Sequence, residues 1–155
     1  VEGILEEDNM RAVVQRVLRA RVLIDGAVVG EIGPGMLTLL AAAPGDGPDQ
    51  VRWMAEKLVG LRVYGDENGK MNLSLNQVGG AMLIVSQFTL YGDCRKGKRP
   101  SYTGSAPPEE ARELYASFVT AVKNLGIPVQ EGVFGAMMHV ELVNDGPVTL
   151  IVDSP

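Results

Sequence analysis

Turn signals recurring at short intervals restrict this chain more than any other feature. Asp25-Gly26, Gly33-Pro34-Gly35, Asp66-Glu67-Asn68-Gly69, Gly79-Gly80 and Asn144-Asp145-Gly146-Pro147 cut it into brief, β-branched runs that leave little room for long helices. These runs predict strands near residues 10 to 18, 20 to 25, 28 to 32, 36 to 43, 61 to 64, 81 to 90, 127 to 134, 136 to 143 and 148 to 152. The apolar spacing changes to three and four in two places. Val51, Met54, Ala55, Leu58 and Val59 follow Pro48 and precede Gly60, and Ala111, Leu114, Tyr115, Phe118, Val119, Val122 and Leu125 follow Pro107-Pro108 and precede Gly126. Many strands against two helices predict an α+β domain built on a strongly curved, barrel-like, largely antiparallel β-sheet. A chain of 155 residues can bury one such core and has no room for a second. We place the start of the domain at Met10, where alternation begins, so that it spans residues 10 to 155 and residues 1 to 9 form a flexible acidic leader, either native or a remnant added for expression.

Charge is distributed in a way that leaves nucleic acid open as a partner. The formal net charge is −5, but Glu2, Glu6, Glu7 and Asp8 supply four of the 19 acids; without them 15 acids face 14 bases. Arg95, Lys96, Lys98 and Arg99 fall within five residues, inside a polar, Gly- and Pro-rich stretch from 91 to 106 that reads as a long loop. Such a cluster is either a solvated loop or a docking point for a phosphate backbone. Cys94 is the only cysteine, which excludes an intrachain disulfide and a multi-thiolate zinc site and suits a reducing, cytoplasmic setting. Apolar runs such as 81 to 85 are far below the roughly 20 residues needed to span a bilayer, so no membrane partner is expected.

Most standard catalytic sets fail on inventory. His139 is the single histidine, so a multi-histidine metal site is excluded and no metal or cofactor is expected. Strand alternation puts Met138, Val140 and Leu142 on one face and Met137, His139 and Glu141 on the other, which reads as the solvated one. No phosphate-binding glycine loop is present. The run 81 to 85 leads directly into Ser86-Gln87-Phe88-Thr89-Leu90, so one strand end gathers two hydroxyls, an amide and an aromatic ring. Alternation would set Ser86, Phe88 and Leu90 against Gln87 and Thr89. Without a partner base neither hydroxyl is an activated nucleophile, and the groups could equally serve neighbouring backbone. Gly146-Pro147, taken alone, is an ordinary turn with a trans bond.

Ordered together, several segments resemble the D-aminoacyl-tRNA deacylase family, also described as D-tyrosyl-tRNA deacylases, over nearly all of residues 10 to 153. They are Gln15-Arg16-Val17, Gly69-Lys70-Met71-Asn72, Val78-Gly79-Gly80, Ser86-Gln87-Phe88-Thr89-Leu90, Lys96-Gly97-Lys98-Arg99-Pro100-Ser101, Phe134-Gly135-Ala136 and Asn144-Asp145-Gly146-Pro147-Val148-Thr149. The chain departs from the pattern at Ala42-Ala43, at Met137 before Met138, and in its acidic leader.

The resemblance implies a homodimer with its active site at the subunit interface, acting on the 3′ end of aminoacyl-tRNA. The reaction would free tRNA and a D-amino acid, with glycyl-tRNA also a substrate. Ser86, Gln87, Phe88 and Thr89 would line the catalytic pocket, with Met138 as an apolar wall. Gly146-Pro147 would be cis and reach into the partner's pocket, Arg16 would fix it, and Lys96, Lys98 and Arg99 would hold the tRNA backbone. The missing base favours attack by water with backbone N–H support near Phe88 or Thr89 and help from the RNA 2′-hydroxyl. Alternatives are Thr89 as a covalent nucleophile, a general Ser/Thr hydrolase, and a tRNA-binding dimer without turnover.

Overall fold

The computed structural model describes residues 9–155; residues 1 to 8, most of the expected leader, lie outside the described residues. Met10 is fully buried, and its carbonyl accepts a hydrogen bond from the Ser154 N–H at 2.9 Å. Among the described residues the order is β1 (Arg11–Ile24), β2 (Ala27–Ile32), β3 (Gly35–Ala41), α1 (Pro48–Gly60), β4 (Tyr64–Gly65), β5 (Met71–Leu73), β6 (Ala81–Ser86), a 3-10 turn (Phe88–Tyr91), α2 (Pro108–Asn124), β7 (Val129–Glu131) and β8 (His139–Asp153).

β1 organises the sheet. One edge carries β8; the other is shared, with β3 pairing Arg11–Val17 and β2 pairing Ala20–Ile24. β3 continues to β6 and β6 to β7, and both of these pairings are parallel. Parallel neighbours need long crossovers, and the segments holding α1 and α2 supply them. The sheet is therefore mixed rather than uniformly antiparallel. β7 returns against β2 so closely that a Cβ on Gly30 would lie 2.4 Å from the Glu131 carbonyl oxygen, which leaves a nearly closed barrel.

Alternation along the central strands builds two apolar layers. Met36, Leu40, Met82 and Ile84 face the helices and pack with Met54, Leu58, Phe118 and Val122. Leu37, Leu83 and Val85 face inward and pack with Val17, Val22 and Ile32. β6 is thus buried on both faces, as its unbroken apolar run predicts. Asp25 and Gly26 both take positive φ, 49° and 79°, as the tight hairpin between β1 and β2 requires.

Three expectations are corrected. The separate strands at 10 to 18 and 20 to 25 are one strand; Leu18 and Arg19 are exposed at the point where β1 exchanges β3 for β2. The strand expected to reach residue 90 stops at Ser86, because its last partner is Leu40; the Gln87 N–H donates to the Leu40 carbonyl at 2.8 Å and the chain then coils. Residues 136 to 143 and 148 to 152 are not two strands around an ordinary turn. Residues 136 to 138 precede the strand; 139 to 143 and 148 to 152 both lie in β8 along β1, and four residues, 145 to 148, stand opposite Arg16 alone. Met138, Val140 and Leu142 are half-buried, while Met137, His139 and Glu141 are exposed, in the alternation expected.

Candidate active site

A cavity of about 540 Å³ opens where the end of β6, the start of α2 and the segment before β8 meet. Ser86, Gln87 and Phe88 form one side, Ala111 and Tyr115 another, and Phe134 to Met138 the third. That size suits a small organic group, and the lining is mainly apolar with a few polar groups at one end. Met138 is held as a wall by its sulfur, which accepts the Val133 N–H at 3.4 Å. The Tyr115 hydroxyl donates to the Ile84 carbonyl at 2.8 Å, and burial pushes its ionisation well above the ordinary tyrosine range. Tyr115 therefore positions the wall and is no base.

The end of β6 presents its polar groups differently from a strand. Phe88 and Thr89 open the 3-10 turn, so their N–H groups have no acceptor within it. The Gln87 side-chain amide donates to the Thr89 hydroxyl. Thr89 is exposed beside the cavity without lining it, and Phe88, 53 % exposed, meets the Tyr102 ring edge-on at 5.2 Å. His139 lies outside the cavity lining.

Tyr102 ties this rim to the basic loop. Asp93 and Ser101 close the loop by paired backbone hydrogen bonds of 2.7 and 2.9 Å, which leaves Lys96, Lys98 and Arg99 exposed along it. Arg95 turns back onto Asp93 at 2.7 Å and holds that carboxyl at about 2, below the usual carboxylate range. Two of the expected sets, the 86 to 89 run and the basic loop, are therefore neighbours.

Gly146-Pro147 is elsewhere in the subunit and lines no part of this cavity. Its peptide bond is cis, both residues are exposed, and Gly146 has φ 148°. Two side chains hold the excursion from β8. Arg16 donates from Nε to the Asp145 carbonyl at 2.7 Å and from Nη1 to the Val63 carbonyl at 2.6 Å. Asn144 accepts the Val148 N–H at 2.7 Å and donates to the Val148 carbonyl at 3.2 Å and the Thr149 hydroxyl at 3.0 Å. A Cβ on Gly146 would meet the Val148 nitrogen and side chain at 2.8 Å, so the position excludes side chains.

The family resemblance pointed to Arg16 beside this dipeptide, and Asn144 was given no role. Its signal was present: Asn before Asp-Gly-Pro is a residue type that bonds its own backbone a few positions on. Tyr115 and Ala111 were read only as helix core, since spacing cannot distinguish a core from a cavity wall.

Comparison with known proteins identifies the family and the fold. The family model described as D-Tyr-tRNA(Tyr) deacylase matches residues 13–153. The D-aminoacyl-tRNA deacylase of Desulfatibacillum aliphaticivorans is 63% identical over 94% of this chain and 99% of its own, and that of Deinococcus radiodurans is 58% identical over 93% and 99%. A solved structure named c-Myc DNA Unwinding Element Binding Protein has a TM-score of 0.89 and 38% identity over 94% of this chain and 99% of its own. Another, described as a probable eukaryotic D-amino acid tRNA deacylase, shares the fold with a TM-score of 0.80 at 19% identity, covering 94% and 99%. Matched along nearly all its described length, the chain belongs to the D-Tyr-tRNA(Tyr) deacylase family and is a hydrolase of the aminoacyl-tRNA ester bond.

Proposed function

We propose that the cavity receives the D-aminoacyl-adenosine end of tRNA in a homodimer, and that the partner subunit's Gly146-Pro147 closes it and rejects L-amino acids. The observation that carries this reading is the separation, within one subunit, of a braced and exposed main-chain probe from a cavity lacking any such group. A second copy would unite them. Met137 is 85 % exposed and Ile151 70 %, so an apolar surface lies open beside the cavity and along β8, as a homodimer interface would need. Main-chain carbonyls of residues 146 and 147 would take the substrate ammonium and leave no space on the L side. Exclusion of this kind tolerates many D side chains and admits glycine, so glycyl-tRNA is also a substrate.

For the chemical step, water attacks the ester carbonyl while the N–H groups of Phe88 and Thr89 stabilise the oxyanion. The 2′-hydroxyl of the terminal ribose assists. Ser86 and Gln87 orient the ester, and Thr89 serves as a partner of Gln87 rather than as a nucleophile. Lys96, Lys98 and Arg99 hold the RNA backbone. Subunit complementation tests the proposal: a Pro147→Ala chain mixed with a Gln87→Ala chain should regain a fraction of wild-type turnover. Mixtures as inactive as either parent would overturn the cross-subunit site.

A second reading, a nucleic-acid-binding dimer with little turnover, is favoured by the basic loop and by the DNA-binding name of the 38% identical structure. Matched D- and L-aminoacyl-tRNA decide between them; binding of both without release of either would support the second.

A further inference from the structure

Arg112 stands out among the charged groups around the cavity. It projects from α2 next to Ala111, and its guanidinium lies 4.5 Å over the ring of Phe134, one of the cavity walls. Phe134 is held in turn by Tyr115, with ring centroids 6.0 Å apart. Glu109 and Glu113 lie close to Arg112 along the helix, yet no carboxylate among the described residues pairs with it, and Glu110 instead accepts the Gly45 N–H at 3.3 Å. An exposed arginine stacked on one face of a ring keeps its planar fork free for a bidentate anion. It is also separate from the basic loop, which reaches the cavity rim through Phe88 and Tyr102.

We infer that Arg112 binds the 5′-phosphate of the terminal nucleotide of tRNA and so sets the depth at which the ester enters the cavity. The inference rests on the proposed placement of the aminoacyl-adenosine in that cavity. Ser86 and Gln87 orient the ester, but the apolar walls give the adenosine end little that fixes how deeply it enters. The nearest phosphate is the one anion that every tRNA presents at a fixed separation from the ester, whatever its sequence. An exposed arginine stacked on a cavity wall would use it as a stop. Arg112 is on this view a positioning residue for the known reaction, acting on substrate charge and not on the reacting atoms.

The experiment compares two small substrates, 3′-O-D-tyrosyl adenosine with and without a 5′-phosphate, on the wild type and on Arg112→Ala and Arg112→Lys. The wild type should favour the phosphorylated ester in kcat/KM by on the order of 10-fold, the scale of one charge-assisted hydrogen-bonded contact. Arg112→Ala should abolish that preference while hydrolysing the unphosphorylated ester within about twofold of wild type, and Arg112→Lys should keep part of it. With full-length tRNA, Arg112→Ala should reduce the slope of log kcat/KM against log salt by about 0.7. Equal turnover of the two esters by the wild type, or equal losses on both in Arg112→Ala, would overturn the inference. Failure of adenosine to compete with either ester would instead remove the adenosine from the cavity, and the inference with it.

Discussion

Arg16 and Asp145 meet across the interrupted pairing of β1 and β8, the guanidinium donating to the Asp145 carbonyl at 2.7 Å and, through a second nitrogen, to the Val63 carbonyl at 2.6 Å. One side chain therefore sets the position of the Gly146-Pro147 excursion against the segment that follows α1. Arg16→Ala would leave both carbonyls short of a partner and should cost about 2–3 kcal/mol, or roughly 5–10 °C in Tm. Arg16→Lys, lacking the fork, should recover less than half of that. D-over-L discrimination should fall in both variants by more than kcat does. Calorimetry and paired deacylation assays check the two halves of this expectation.

Gly35 tests the barrel itself. It faces the start of β6, and an added Cβ would lie 1.9 Å from the Ala81 carbonyl oxygen, inside any tolerable contact. Gly35→Ala should destabilise by more than about 3 kcal/mol or fail to give soluble protein, whereas Gly33→Ala, with nothing within 4 Å of its Cβ, should be close to neutral. Thermal unfolding of the pair provides the check.

The fold was legible where one physical signal dominated. Both helices begin and end where proline and glycine place them, and β6 is buried on both faces as its composition demands. Legibility failed where a strand changes partners. Leu18 and Arg19 resemble a break because local periodicity cannot show that β1 leaves β3 and joins β2 at that point. It failed again at Gln87, since the end of β6 is set by the length of β3 and not by its own residues. For the site, the polar run at 86 to 89 stood out in the residues and Arg16 entered only through the family resemblance, while the union of Phe134, Tyr115 and Ala111 into one cavity is a property of packing between distant segments.

Thr89 separates the two mechanisms. If water attacks, Thr89→Ala should slow hydrolysis by on the order of 10-fold, the loss of a hydrogen bond or two, without abolishing it. Intact mass spectrometry during turnover should find unmodified enzyme. An acyl adduct that maps to Thr89 would establish it as the nucleophile.

The basic loop should act through charge alone. Replacing Lys96, Lys98 and Arg99 by Ala should weaken tRNA binding, flatten its salt dependence by about 2–3 in log–log slope, and leave the 3′-O-D-tyrosyl adenosine rate unchanged. Unaltered tRNA affinity would relocate the backbone contact.

Asp93 gives the loop a titration signature. Its hydrogen bonds from Arg95 keep it ionised down to about 2, below the value of an unfolded chain. Its contribution is therefore complete above roughly pH 4, the unfolded range, and is lost as pH falls toward the folded value. NMR titration of the carboxyl should give a midpoint near 2, rising toward the ordinary range in Arg95→Ala, which keeps the hydrogen bond from the residue 95 N–H.

The excursion at 145 to 148 has a further consequence. Residues on each side of it are committed to the same strand: Thr149 to Asp153 pair with Gln15 to Arg11, and His139 to Val143 pair with Leu23 to Arg19. Its length is thus metered by two fixed ladders, unlike that of a free loop, whose ends can drift. A single inserted residue must either lengthen the protruding tip or shift one ladder by one place and exchange its inner and outer faces.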